Sequence, residues 1–123
     1  MLAPLRITER PIADTLLLEL TGSLVFDEGD RILRDRIHEL VEAGARRFLI
    51  DLHEVTYVDS GGVGALVELY LYVARVGGRL ALMRPGPCAQ RVLQITHLVS
   101  ALDVFEDEQS AIRGIHEPSN AHP

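Results

Sequence analysis

Phe48-Leu49-Ile50-Asp51-Leu52-His53-Glu54-Val55-Thr56-Tyr57-Val58-Asp59-Ser60-Gly61-Gly62-Val63-Gly64-Ala65-Leu66 runs from an apolar strand into the start of a helix. Its first five residues form a nearly continuous apolar run, the pattern of a strand buried on both faces of a parallel sheet. Its last residues open a long apolar stretch, Val63 to Val76, of helical length. Ser60 stands where loop becomes helix, a position for an N-cap hydroxyl that accepts from the first free backbone N–H groups. Gly61, Gly62 and Gly64 leave that first turn nearly bare of side chains. A helix N-terminus carries about half a positive charge and several unpaired donors, so an anionic group is stabilised there. A serine at such a point can cap, attack, or accept a phosphate, and these residues alone leave all three open.

Working outward, Leu5 to Ile7 and Thr15 to Leu20 read as two strands of a hairpin turning near Arg10-Pro11. From Asp27 to Ala43 the residues Leu33, Ile37, Leu40 and Val41 fall on one helical face. Asp27, Glu28 and Asp30 suit its first turn and Gly44 its stop. On the other side, the second helix runs from about Gly61 to Val76 and stops at Gly77-Gly78. Leu80 to Met83 is a third buried strand, closed by Pro85-Gly86-Pro87. A helix over Cys88 to Thr96, a short strand Val104-Phe105 and a last helix over Asp107 to Ile115 complete the chain. This order predicts an α/β fold with a mixed, mostly parallel sheet of four to five strands, an antiparallel N-terminal strand, and about four helices. One domain is expected over residues 1–116 and a disordered tail over 117–123.

Composition removes several function classes. The chain has 123 residues, a net charge of −6 and 47% hydrophobic residues, which suits one folded domain and argues against a nucleic-acid or anionic-membrane surface. No apolar run reaches the ~20 residues of a membrane span. The single Cys88 cannot form an internal disulfide, and the first residues lack a secretory pattern, so a cytoplasmic protein is expected. Every Lys/Arg position is arginine. Without lysine there is no Walker-type phosphate grip, no Schiff base, and no receiver-type phosphoaspartate site at Asp51.

The remaining catalytic readings fail on spacing. Gly62-Val63-Gly64 sits in a strand-loop-helix context, but Val67 occupies the third-glycine position of a dinucleotide fingerprint, and no acid follows where a ribose would need one. A hydrolase elbow needs glycine two residues before the serine, and Val58 is there. Cys88 opens a helix, which can activate a thiol, yet it reads equally as a small core residue. The five histidines show no metal-ligand spacing. No cofactor, no metal site and no enzymatic activity are expected.

The stretch Phe48 to Leu66 resembles the signature of the STAS-domain family, the bacterial anti-sigma-factor antagonists: strand, Asp-Leu, a turn, then Asp-Ser-(Ser/Gly)-Gly-(Leu/Val)-Gly. Gly77-Gly78-Arg79-Leu80, the segment Arg91 to Leu98, and the closing Val104 to Ile112 are similar to that family too, so the likeness covers roughly Leu16 to Ile112. The resemblance implies a binding protein switched by phosphorylation, whose partner is an anti-sigma factor that is also an ATP-using serine kinase. It implies Ser60 as phospho-acceptor, Asp59 as its acidic neighbour, and Gly61, Gly62 and Gly64 as the points where the kinase approaches the backbone. Val25 departs from the pattern, standing where many members carry an acid, with Asp27 two residues on. The other reading is a STAS-like scaffold or ligand sensor whose Ser60 is never modified. Along the second helix, Val63, Leu66, Val67, Tyr70 and Val73 should face the sheet. Leu71 and Tyr72, opposite, are expected at the partner surface, on a monomer or weak homodimer.

Overall fold

The strand that starts beside Phe48 runs well past its apolar core. In the computed structural model, which describes residues 2–117, it spans Arg47–Val58. The elements in order are β1 Arg6–Ile12, β2 Thr15–Leu24, α1 Gly29–Glu42, β3 Arg47–Val58, α2 Ser60–Arg75, β4 Arg79–Met83, α3 Pro87–Ile95, β5 Val104–Phe105 and α4 Glu108–Gly114. The sheet order is β1-β2-β3-β4-β5, with β1 antiparallel to β2 and every other pair parallel. This is the predicted α/β architecture, and Phe48 lies beside Leu80 in one sheet. Beyond Glu117, the expected tail lies outside the described residues.

Alternation along the strands sorts two cores. Leu18, Phe48, Ile50, Leu80 and Leu82 point to the side covered by α1, α2 and α3, where Leu33, Ile37, Leu66, Leu69 and Leu93 meet them. Leu17, Leu49, Ala81 and Met83 point the other way, under Ala111 of α4 and Ile115 at its C-terminal cap. Burial of each Leu, Ile, Phe or Met among them contributes on the order of 1.5–3 kcal/mol relative to exposure.

Two features of the strands differ from the sequence reading. The hairpin turns at Ala13-Asp14, with Ala13 at φ +55°, and not at Arg10-Pro11. Pro11 stays inside β1 because β1 is an edge strand, where a missing N–H breaks no interior ladder. β3 continues over His53 to Val58 because it carries an extra residue against β2 at two places: Thr21 pairs with Glu54 after Glu19 with Asp51, and Ser23 with Tyr57 after Gly22 with Val55. Each bulge breaks the period-two pattern, so the segment looks like a turn when read as sequence. The helix stops are as expected, with Gly44 at φ +108° and Gly77 at φ +84°.

α2 is buried over a wider arc than one sheet-facing stripe. Val63, Leu66, Tyr70 and Val73 are buried as predicted, but Val67 is only half-buried, while Ala65 and Leu69 are fully buried. The reason is a second neighbour: α1 packs along α2, so side chains between the two helices leave solvent as well. Arg34 of α1 ties them, paired with Asp30 at 3.0 Å and with Glu68 of α2 at 3.3 Å. Among the described residues, no helix is long and apolar enough to cross a membrane.

Candidate functional site

Asp59, not Ser60, caps α2. Its backbone is extended, and its carboxylate accepts the Gly62 N–H at 3.0 Å. Ser60 has already entered the helix as its first residue and is exposed there. The same carboxylate reaches a second strand-to-helix connection. The Phe26 N–H donates to both of its oxygens, 3.1 Å from each, and the Asp59 N–H donates to the Leu24 carbonyl at 3.3 Å. Asp59 therefore ties the end of β2 to the start of α2, and charge-assisted bonds of this type are about twice as strong as neutral ones.

Two of the three glycines exist for this contact. A Cβ on Gly62 would fall 2.1 Å from the Leu24 carbonyl oxygen, and one on Gly61 would fall 2.5 Å from Phe26 Cβ. The space above them is occupied by the chain's own β2–α1 connection. A Cβ on Gly64 would meet nothing within 4 Å, so of these three glycines it is the one that leaves the α2 backbone open to an incoming molecule. Residues four apart share a helix face. Ser60 and Gly64 thus begin an exposed stripe that continues through Glu68, Leu71 and Arg75.

Leu71 is 44% exposed on that stripe. Tyr72 is half-buried and stacks on His38 of α1, ring centroids 4.1 Å apart at 26°, so part of its ring is committed to the helix pair. Val25 is half-buried, and its carbonyl accepts the Asp30 N–H at 3.0 Å. Asp27 adopts φ +60° and is drawn to Arg31 at 3.3 Å. Asp30 is buried at the start of α1; burial pushes its carboxyl up, but the Arg34 guanidinium and the N–H groups of Glu28 and Arg31 outweigh this and hold it below its ordinary value of 3.8.

The other side chains singled out by chemistry are engaged elsewhere. Asp51 is buried, paired with Arg84 at 2.8 Å, and accepts the His53 N–H at 3.0 Å. Cys88 is half-buried in the first turn of α3. Among the described residues, no group of three His, Cys, Asp or Glu is placed to hold a metal. What the sequence reading missed is Phe26: 71% exposed, beside Gly61, and directly before the acidic run Asp27-Glu28-Gly29-Asp30.

The model of the STAS domain matches residues 6–111. The chain belongs to the STAS domain family. Among relatives of this STAS protein, the TM1081 homolog of Thermotoga neapolitana is 30% identical over 104 residues, 85% of this chain and 92% of that one. The anti-sigma-B factor antagonist of Bacillus subtilis is 30% identical over 82 residues, 67% of this chain and 74% of that one. The solved structure of the Bacillus cell fate determinant SpoIIAA in its phosphorylated form superposes with a TM-score of 0.68 at 22% identity, over 90% of this chain and 100% of that chain. That last likeness concerns the fold. The family match and the two curated relatives make this STAS domain kin to anti-sigma factor antagonists.

Proposed function

We propose that this STAS protein is a phospho-switched antagonist: with Ser60 free it holds an anti-sigma factor that is also a serine kinase, and so releases a sigma factor. Phosphorylated Ser60 breaks the complex. The observation that carries the reading is the exposed Ser60 at the first helical position, beside the open backbone at Gly64 and clear of the internal capping, which Asp59 performs instead. Curated relatives named as antagonists of anti-sigma factors support the partner class.

The charge arithmetic makes Ser60 a switch of binding and not of folding. Phosphate adds about −1.5 to −2 charges at neutral pH. The α2 N-terminus offsets part of that, by roughly 0.3–1 kcal/mol at an exposed site, while the neighbouring Asp59 opposes it. A partner docked on the same turn has instead to bury an added anion beyond the charges its interface already matches, at a cost of several kcal/mol. The exposed stripe Gly64, Leu71 and the free edge of Tyr72 form the rest of the docking face. On this reading the protein is a cytoplasmic binding module without catalysis or cofactor, a monomer or weak homodimer.

The test is phosphotransfer. Each kinase-type anti-sigma factor encoded alongside this chain, purified singly and supplied with ATP, is offered wild type and Ser60→Ala. One of them should label wild type and leave Ser60→Ala unlabelled while still binding it, and Ser60→Asp should fold normally and bind poorly. Equal labelling of Ser60→Ala refutes Ser60 as the acceptor. No labelling by any of them leaves the unmodified scaffold as the better reading.

A further inference from the structure

We propose that Phe26 is the residue by which this chain selects its partner: it enters an apolar socket rimmed by cationic side chains, and Asp59 is the positioning residue that holds it ready. The identity of the partner rests on the function proposed above; the geometry of Phe26 does not.

Four observations converge. Phe26 is 71% exposed, more than any other large hydrophobic side chain among the described residues. A phenyl ring left in water is unfavourable, and aromatic anchors dominate binding energy at protein interfaces. Second, its backbone is held firmly. The Phe26 N–H is shared between both oxygens of Asp59 at 3.1 Å, the preceding Val25 carbonyl accepts the Asp30 N–H at 3.0 Å, and Phe26 Cα and Cβ rest on the bare backbone of Gly61. An anchor already fixed in place loses little conformational freedom on docking.

Third, the ring rises from an acidic rim. Asp27 and Glu28 follow it and are exposed, on a chain of net charge −6. Arg31 offsets only Asp27, at an exposed 3.3 Å pair. Matching this rim requires cations around the socket, which fits a basic partner and disfavours a second copy of this acidic chain. Fourth, Phe26 touches Gly61, the residue after Ser60, so a partner seated over the Ser60 hydroxyl also covers Phe26. The surface is one patch from two connections, and Asp59 lies under both.

The bonding of Asp59 offers a conservative test of its role. Asp59→Asn keeps the Oδ1 that accepts both the Gly62 and the Phe26 N–H, but turns the second acceptor of Phe26 into an amide donor facing its N–H. The cap survives while Phe26 is held less firmly. Hydrogen exchange on the full chain should then show the Phe26 amide opening while the Gly62 amide stays protected. A merely structural role would loosen both.

The deciding experiment titrates each kinase-type anti-sigma factor, purified singly, with wild type, Phe26→Ala, Phe26→Leu, Asp59→Asn and Ser60→Asp, alongside thermal unfolding. Phe26→Ala should keep the wild-type melting point and weaken the complex by about 30-fold or more, as a hot-spot truncation does. Phe26→Leu should fall between, and Asp59→Asn should lose about tenfold. Binding of Phe26→Ala within twofold of wild type, where Ser60→Asp abolishes it, overturns the inference and leaves the phospho-switch standing. The reverse pattern, Ser60→Asp binding fully and Phe26→Ala failing, overturns the switch and leaves Phe26 as the anchor. If Phe26→Ala instead dissolves a homodimer seen by sedimentation, the occupant is a second copy and the proposal is wrong. A wild type that binds none of these proteins overturns both.

Discussion

Gly62→Ala and Gly64→Ala, two residues apart in one helical turn, should move stability in opposite directions. At Gly62 the added methyl would sit 2.1 Å from the Leu24 carbonyl oxygen, at least about 1 Å short of an ordinary contact. That oxygen cannot swing aside freely, because it accepts the Asp59 N–H at 3.3 Å at the end of a buried strand. Either the end of β2 shifts, at ~1–3 kcal/mol for overpacking, or the first turn of α2 lifts and loses its cap, at ~0.5–2 kcal/mol. Alanine's better helix propensity returns at most ~1 kcal/mol, so Gly62→Ala should be destabilised by up to about 2–3 kcal/mol. At Gly64 the methyl meets nothing within 4 Å, and only the propensity gain remains, about 0.5–1 kcal/mol of stabilisation. For a domain of this size, each kcal/mol moves the melting point by roughly 3–5 °C. Thermal unfolding followed by circular dichroism should therefore show Gly62→Ala falling and Gly64→Ala rising by ~2–5 °C. A Gly62→Ala protein as stable as wild type would refute the close approach of β2 to α2 on which the site rests. Gly64→Ala carries a second readout, since a partner that uses the open backbone there should bind the stabilised variant less well.

Arg79 is almost buried, pairs with Asp103 at 3.0 Å, and donates to the Gly114 and Glu117 carbonyls, so it ties α4 and its C-terminal end to β4. Arg79→Met should cost about 3–5 kcal/mol in urea unfolding by stripping a buried carboxylate of its cation, and Asp103→Leu added to it should recover much of the loss. Leu69→Ala, at a fully buried position, should cost ~2–5 kcal/mol, whereas Leu71→Ala, 44% exposed, should stay within about 0.5 kcal/mol and act on partner affinity alone. Asp30 is held below its ordinary 3.8, so its contribution to stability is complete above that pH and lost as pH falls through its lower folded-state value. Acid titration of stability should show this loss in wild type, and Asp30→Asn should remove that component while lowering stability at neutral pH.

The strand and helix cores were legible because each carries its own period. Phe48 to Leu52 and Leu80 to Met83 read as buried strands, and Leu33, Ile37 and Val41 as one helix face. The family signature around Ser60 was legible for the same reason: it is contiguous. What was hidden depends on contacts between distant residues. The two bulges of β3 are set by its pairing with β2, so His53 to Val58 looked like a turn. The wider burial of α2 follows from α1, which the helical wheel of α2 alone cannot register. Ser60 and Asp59 both have side chains able to cap; the carboxylate took the position because it can also hold the Phe26 N–H, 33 residues away in sequence. For the same reason Gly61 and Gly62 read as openings for a partner, although the chain fills them itself. Phe26 escaped notice because only the fold brings it to the start of α2, and the one hint in the sequence was an aromatic running straight into an acidic stretch.

The central claim, that charge on Ser60 governs binding while the fold stays put, is tested most directly on one sample prepared in two states. Enzymatically phosphorylated protein and its phosphatase-treated twin are verified by intact mass, titrated calorimetrically with the same anti-sigma factor, and compared by amide NMR. The account predicts that affinity falls by orders of magnitude on phosphorylation while amide shifts change only around the first turn of α2 and the Phe26 connection. Equal affinity in the two states, or shift changes spread through β2, β3 and α1, would contradict it.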